Sequence, residues 1–189
     1  MDDPFIDVIS VTVQYLDHIG IPYAITGSIA SGAHGEPVLS QDVDIAVHMT
    51  PEQARTLADE LPQRFYRNRE HLEEVSRIGG LANLIDSDTG LKVDLSVLER
   101  TPYYDGVLTR RTLVAFGPKG PSFFAVTPED IILMKLLWRR ESRSEKQWRD
   151  ALGVAKVQGT RMDWNYLWDQ AEHLQIKHDL TQLRDEAGI

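Results

Sequence analysis

Residues 23–47, YAITGSIASGAHGEPVLSQDVDIAV, decide how the rest of the chain is read. They spell a short apolar strand over 23–26, a Gly27-Ser28 turn and a brief helix of small residues over 29–33. A polar loop follows, then a second strand over 43–48 with two aspartates at its start. Side chains alternate along a strand. Val43, Ile45 and Val47 therefore share one face, while Asp42, Asp44, Ala46 and His48 share the other. Aspartate is depleted in strands, and carboxylates beside an apolar face are costly unless something pairs them. A hard divalent cation removes that cost. Mg²⁺ takes one or two protein carboxylates and completes its octahedron with water and phosphate oxygens.

Upstream, Phe5, Ile6, Ile9, Val13, Leu16 and Ile19 recur at helical spacing until Gly20, which predicts a helix over 5–19. Downstream, Thr50-Pro51-Glu52-Gln53 is a capping-box start with proline at the first helical position, for a helix reaching about residue 61. The charged run 67–78, closed by Gly79-Gly80, predicts a further helix. Segments 81–86 and 91–98 read as a hairpin around Ser87-Asp88-Thr89-Gly90. In its second arm Val93, Leu95 and Val97 alternate with Lys92, Asp94 and Ser96, so a third carboxylate lies on the polar face of a half-buried strand. Two short strands follow, over 111–116 and 122–126.

At Thr127 the pattern changes. Thr127-Pro128-Glu129-Asp130 supplies a capping threonine, a first-position proline and first-turn acids. Helices are predicted from there to the end, over 128–140, 144–157, 164–174 and 176–187. The expected fold class is α+β. A mixed sheet flanked by helices occupies 1–126, and a C-terminal helical bundle over 127–189 packs on it.

At 189 residues the chain is long enough for a substantial core. A net charge of −9 argues against affinity through a general basic surface for nucleic acid. The absence of cysteine rules out disulfides and thiolate metal sites. The acidic start MDDPFIDVIS lacks a signal pattern, and no apolar run is long enough to span a bilayer, so a cytoplasmic protein with no membrane partner is expected.

Gly27-Ser28 opening a short helix, the Asp42/Asp44 pair on a strand and Asp94 on a later strand together resemble the nucleotidyltransferase superfamily, whose best-known member is DNA polymerase beta. The resemblance covers about the first hundred residues. More loosely, the tail, including ATPEDIILMKLLWRR, is similar to the small bacterial branch containing the AbiEii-type toxins. The resemblance implies a minimal nucleotidyltransferase fold and a metal-dependent transfer of a nucleoside monophosphate from an NTP to a hydroxyl, releasing pyrophosphate. It implies that Asp42 and Asp44 hold the Mg²⁺ or Mn²⁺ that escorts the triphosphate, while Asp94 helps hold a second metal and assists deprotonation of the acceptor. Two metals in such sites clamp the attacking and leaving oxygens. Gly27 permits backbone conformations that other residues resist. The N–H groups at the helix start after it form an anion seat for phosphates, to which Ser28 adds a hydroxyl.

Other features carry less. Lys135, Arg139, Arg140, Arg143, Lys146 and Arg149 form a basic island in an acidic chain. Most of it reads as a solvated helix face; Lys135 is the member expected to reach the triphosphate. Trp138, Trp148, Trp164 and Trp168, with Leu133, Leu137, Leu152 and Leu167, fit a helical core better than a base-stacking platform. His34 reads as a loop residue, and His173 and His178 are wrongly spaced for two ligands on one helical face. The acceptor is open between a tRNA end (as in a toxin–antitoxin system with a cognate antitoxin), a protein side chain and a small molecule. The competing class is a non-catalytic nucleotide-binding partner module of a toxin–antitoxin or regulatory pair.

Overall fold

In the computed structural model, four helices begin where a capping side chain precedes a proline: Asp3-Pro4, Thr50-Pro51, Thr101-Pro102 and Thr127-Pro128. Each cap oxygen accepts a backbone N–H from the first turn, and proline has no N–H to leave unpaired there. At Thr50 the reciprocal bond from Gln53 completes the capping box.

The structure describes residues 3–38, 40–116 and 120–189. The first half of the described chain runs α1 (Pro4–Ile19), β1 (Tyr23–Ile25), α2 (Gly27–His34), β2 (Asp42–Val47), α3 (Pro51–Glu60), β3 (Phe65–Tyr66), α4 (Arg69–Ile78), β4 (Gly80–Asp86) and β5 (Lys92–Val97). It continues with α5 (Pro102–Arg110), β6 (Thr112–Ala115), β7 (Ser122–Ala125), α6 (Pro128–Ser142), α7 (Glu145–Gln158), α8 (Trp164–His173) and α9 (Lys177–Ala187). These elements form two compact units. One is Met1–Ile25 with Ser40–Ala125; the other is Thr26–Leu39 with Val126–Ile189.

The first unit holds the sheet. Among the described residues seven strands lie in the order β3-β4-β5-β2-β1-β7-β6. β2 runs parallel to β5 and β1 parallel to β7, and the remaining neighbours are antiparallel. The mixed α+β class is therefore as expected. Val43, Ile45 and Val47 of β2 and Val93 and Leu95 of β5 are buried, as the alternation requires. Val8, Ile9 and Leu16 of α1 and Leu57 of α3 are buried too, each such side chain contributing about 1.5–3 kcal/mol when removed from water. Ala46 and His48, read onto the polar face, are also buried. His48 lies beyond the end of β2; its ring pairs with the Glu99 carbonyl, Arg100 and Asp105.

Two of these elements were not expected. Residues 102–110 form α5, with Tyr103, Val107 and Leu108 buried, although Gly106 and the adjacent tyrosines disguise the helical pattern. Phe65–Tyr66 forms the short edge strand β3 against β4.

The second unit is helical. α2 packs against α6 and α7, α6 against α7, α8 and α9, and α7 against α9. Ile131, Met134, Val154, Leu167, Leu180 and Leu183 fill its core. Just after α2, a Cβ added to Gly35 would meet the Val154 backbone N at 2.7 Å and the Gly153 carbonyl carbon at 2.8 Å. Only glycine allows this approach of two backbones. Trp148 and the four leucines Leu133, Leu137, Leu152 and Leu167 belong to the core, while Trp138, Trp164 and Trp168 are half-buried. Arg139 lies over Trp148 and Arg184 near both Trp164 and Trp168, so cation–π contacts occupy these rings.

Candidate functional site

The six residues singled out from the sequence fall into two groups, one in each unit. Asp42, Asp44 and Asp94 belong to the sheet unit; Gly27, Ser28 and Lys135 belong to the helical one.

The carboxylates are placed by strand pairing. β2 and β5 run parallel with Asp42 opposite Lys92 and Asp44 opposite Asp94. Partners in such a ladder point to the same face, and so do residues two apart. All three aspartates and Lys92 thus share one face. β4 adds Asn83, which pairs with Asp94 from the other side. The result is a polar row across three adjacent strands: Asp44, Asp94, Asn83.

Within this row Asp94 is well held. The Asn83 amide donates to its Oδ1 at 3.0 Å, and Lys92 Nζ lies 2.9 Å from its Oδ2. Lys92 Nζ is also 3.7 Å from Asp42 Oδ2. The hydrogen bond to Asp94, reinforced by the charges of Asp94, Asp42 and Asp44, holds the Lys92 ammonium above the ordinary lysine pKa of 10.5. Asp42 is the open end of the group, its side chain 50% exposed against 10% for Asp94. Among the described residues no three His, Cys, Asp or Glu side chains converge closely enough to hold a metal ion. The donor set nonetheless suits a hard cation: Asp42 and Asp44 are all-oxygen ligands two residues apart on one face. Asp94 has both carboxylate oxygens engaged by Asn83 and Lys92.

The second group is built around a residue the sequence reading passed over. Gly27 opens α2 with φ +64, a left-handed conformation that a side chain disfavours. Thr26 precedes it without a side-chain cap, its hydroxyl turned toward Met134 instead. The first N–H groups of a helix have no partner within the helix. Ser28 donates its hydroxyl to Asp150 Oδ2 at 3.3 Å, and Lys135 donates to the same oxygen at 2.9 Å. The Lys135 and Asp150 side chains are each only 2% exposed. Lys135 is therefore the centre of a buried ion pair rather than part of an open basic face. Asp150 also lines a cleft of about 380 Å³ with Glu36, Pro37, Val38, Arg149 and Gly153. The signal for Asp150 was present: an aspartate among the apolar residues Trp148, Ala151, Leu152 and Val154 of one helix.

The rest of the basic island divides between paired and exposed side chains. Arg139 pairs with Asp179 and Arg140 with the Leu174 carbonyl, while Arg143, Lys146 and Arg149 are exposed. His34 sits at the end of α2, its Nε2 2.7 Å from the Val126 carbonyl, and burial lowers its pKa from 6.5. Among the described residues no helix is long and apolar enough to cross a membrane.

No protein-family model matches the chain, and no curated protein sequence matches it. Solved structures do. An antigenic nucleotidyltransferase-like protein from Paracoccidioides brasiliensis superposes with a TM-score of 0.57 at 22% identity, over 95% of this chain and 91% of that one. The antibiotic-resistance factor ANT(2'')-Ia superposes with a TM-score of 0.52 at 12% identity, over 96% of this chain and all of that one (100%). At such identities the likeness is one of fold, and that fold is nucleotidyltransferase-like.

Proposed function

We propose that the protein transfers a nucleoside monophosphate from an NTP to a hydroxyl acceptor. The observation that carries this reading is the in-register pairing of Asp44 with Asp94, with Asp42 on the same face. Three carboxylates gathered on one sheet face repel one another, and a divalent cation would relieve that repulsion. The nucleotidyltransferase-like fold supports the same assignment.

In this reading Asp42 and Asp44 would hold a divalent cation, Mg²⁺ or Mn²⁺. When bound, the cation would neutralise phosphate charge and orient the leaving pyrophosphate. Asp94, fixed by Asn83, would orient the acceptor hydroxyl and receive its proton. The acceptor oxygen forms a bond to the α-phosphorus as the bond from that phosphorus to the bridging oxygen breaks, and pyrophosphate leaves with the electron pair. Within the helical unit, the start of α2 at Gly27 and Ser28 would by itself offer backbone N–H groups to an anion such as phosphate. Lys135 would act on that seat by fixing Asp150, which accepts from Ser28.

Incubation with each α-³²P-labelled NTP, Mg²⁺ or Mn²⁺ and a cell extract containing RNA, protein and metabolites tests the proposal, with the D42N/D44N variant alongside. Label on one class of molecule, only with the unaltered protein, is the expected result. Label on tRNA would favour the toxin–antitoxin form of this reading, with a cognate antitoxin as partner; label on protein or a small molecule would assign those acceptors. NTP binding without transfer would replace it with the non-catalytic partner module.

A further inference from the structure

The sheet face that carries Asp94 changes character toward its β3 edge. On β4, Leu81, Asn83 and Ile85 alternate with the buried Ala82, Leu84 and Asp86, so they share the face of Asp94 on β5. Tyr66 of β3 stands opposite Ile85, while Phe65 is buried on the covered side. Among the described residues six large apolar or aromatic side chains are exposed, and three of them lie on this face: Tyr66 at 65%, Leu81 at 47% and Ile85 at 37%. Single exposed apolar side chains are ordinary. Three of them around one polar residue mark a contact surface.

The register places that surface against Asp94. Asn83 is directly opposite Asp94 and donates to it at 3.0 Å. Leu81 and Ile85 are therefore the diagonal neighbours of Asp94 on β4, about 7–8 Å from it. Tyr66 lies one strand beyond Ile85, about 12 Å from Asp94 by strand spacing. In the transfer reading the nucleotide stands on the β2 side of Asp94, so the body of the acceptor extends the other way, over Asn83, Ile85 and Tyr66.

Three features identify that body. An aromatic side chain beside an aliphatic one suits the face of a planar ring, which stacks on the first and covers the second. The three side chains present on the order of 300 Å², well short of the roughly 800 Å² per partner of a stable protein interface. β3 is only two residues long, too short an edge to pair with a second copy. The chain carries a net charge of −9, and three aspartates share this face, which disfavours the phosphates of a polynucleotide.

We propose that Tyr66, Leu81 and Ile85 form an acceptor platform, and that the acceptor is a small alcohol of nucleoside size with a planar ring beside its hydroxyl. This rests on the nucleotidyl-transfer reading and specifies its acceptor class. The ring stacks on Tyr66 against Ile85, and Leu81 closes the other side of Asn83. The hydroxyl oxygen bonds to the α-phosphorus and gives its proton to Asp94 as pyrophosphate leaves.

NMR of methyl-labelled protein tests this through the Leu81 and Ile85 methyl groups, with saturating α,β-methylene-ATP and Mg²⁺. Adenosine, inosine, cytidine and uridine are added in turn, with ribose as the ringless control. Upfield ring-current shifts at Ile85 that saturate with a nucleoside and are absent with ribose are the expected result. Tyr66→Ala should weaken that binding about tenfold, the usual loss of one stacking partner, and Tyr66→Phe should restore it. The same nucleoside should take label from an α-³²P-labelled NTP. Methyl groups unmoved by every nucleoside, while label passes to another molecule, would overturn the inference and leave transfer standing. Methyl groups shifted by α,β-methylene-ATP alone, and no further by nucleosides, would give the surface to the base of the NTP and overturn it as well. Nucleoside binding without transfer from any NTP would remove the transfer reading, and the acceptor role with it.

Discussion

The molecule contains two clusters in which a lysine meets aspartate at 2.9 Å, and they differ in water. Lys92 and Asp94 lie on a sheet face that opens to solvent at Asp42, whereas Lys135 and Asp150 are sealed among helices at 2% exposure each. In the open cluster three aspartates share a face with Lys92, and the Asp42 side chain at its edge is half exposed. In the sealed one, lysine, aspartate and the Ser28 hydroxyl are matched, and the energetic consequence falls on the fold. The same pair of residue types thus lies on a solvent-open sheet face in one place and in a sealed helical core in the other.

The largest effect that would break this contrast is in the sealed cluster. Lys135→Met should destabilise the protein by about 3–5 kcal/mol, the usual cost of leaving one partner of a buried ion pair uncompensated, as measured by urea unfolding. The K135M/D150L double variant should recover much of that loss. A loss below 1 kcal/mol for K135M would show that water reaches Asp150 and that the two clusters are alike.

Next in size is the seat of α2. Gly35→Ala places a methyl against the backbone of α7 and should cost about 1–3 kcal/mol as an overpacking change. The same measurement reports it, with Gly32→Ala as the comparison, where a Cβ would be 3.1 Å from the Val38 nitrogen.

Histidine titration sharpens the contrast differently. Burial, then Arg100, lowers the His48 pKa from 6.5, and burial lowers that of His34. A proton is then taken up by the unfolded chain before the folded one. Both residues contribute stability that is fully present above about pH 6.5 and lost as pH falls through their folded values. Unfolding free energy measured from pH 8 to 5 should decline below that point, and His48→Gln should flatten part of the slope. A slope unchanged by His48→Gln would show that its ring is already solvated.

The smallest stability effect should come from the open cluster. D42N/D44N should leave the melting temperature in cation-free buffer unchanged or slightly raised, since it removes repelling surface charge, while abolishing Mn²⁺ binding. A large loss of stability there would make these carboxylates structural, like Asp150.

Much of the architecture was legible because its signals are local. Cap–proline pairs announced α3 and α6, and alternation announced β2 and β5 with the polar face of each. The same signature at Thr101-Pro102 marks α5, but Gly106 and the paired tyrosines masked the periodicity that would have confirmed it. Asp150 went unread because a single acidic residue on an apolar helix face has no meaning until its partners are known. Those partners, Lys135 and Ser28, are 15 and 122 residues away in the chain.

The sequence by itself determined which residues face the same side of each strand and where helices begin, because backbone periodicity and capping act over a few residues. Only the tertiary structure decided that Asp44 stands opposite Asp94, that Lys92 lies between Asp94 and Asp42, and that Asp150 gathers Ser28 and Lys135. Those are matters of strand register and helix packing. They depend on which distant surfaces exclude water together, and spacing along one chain does not encode that.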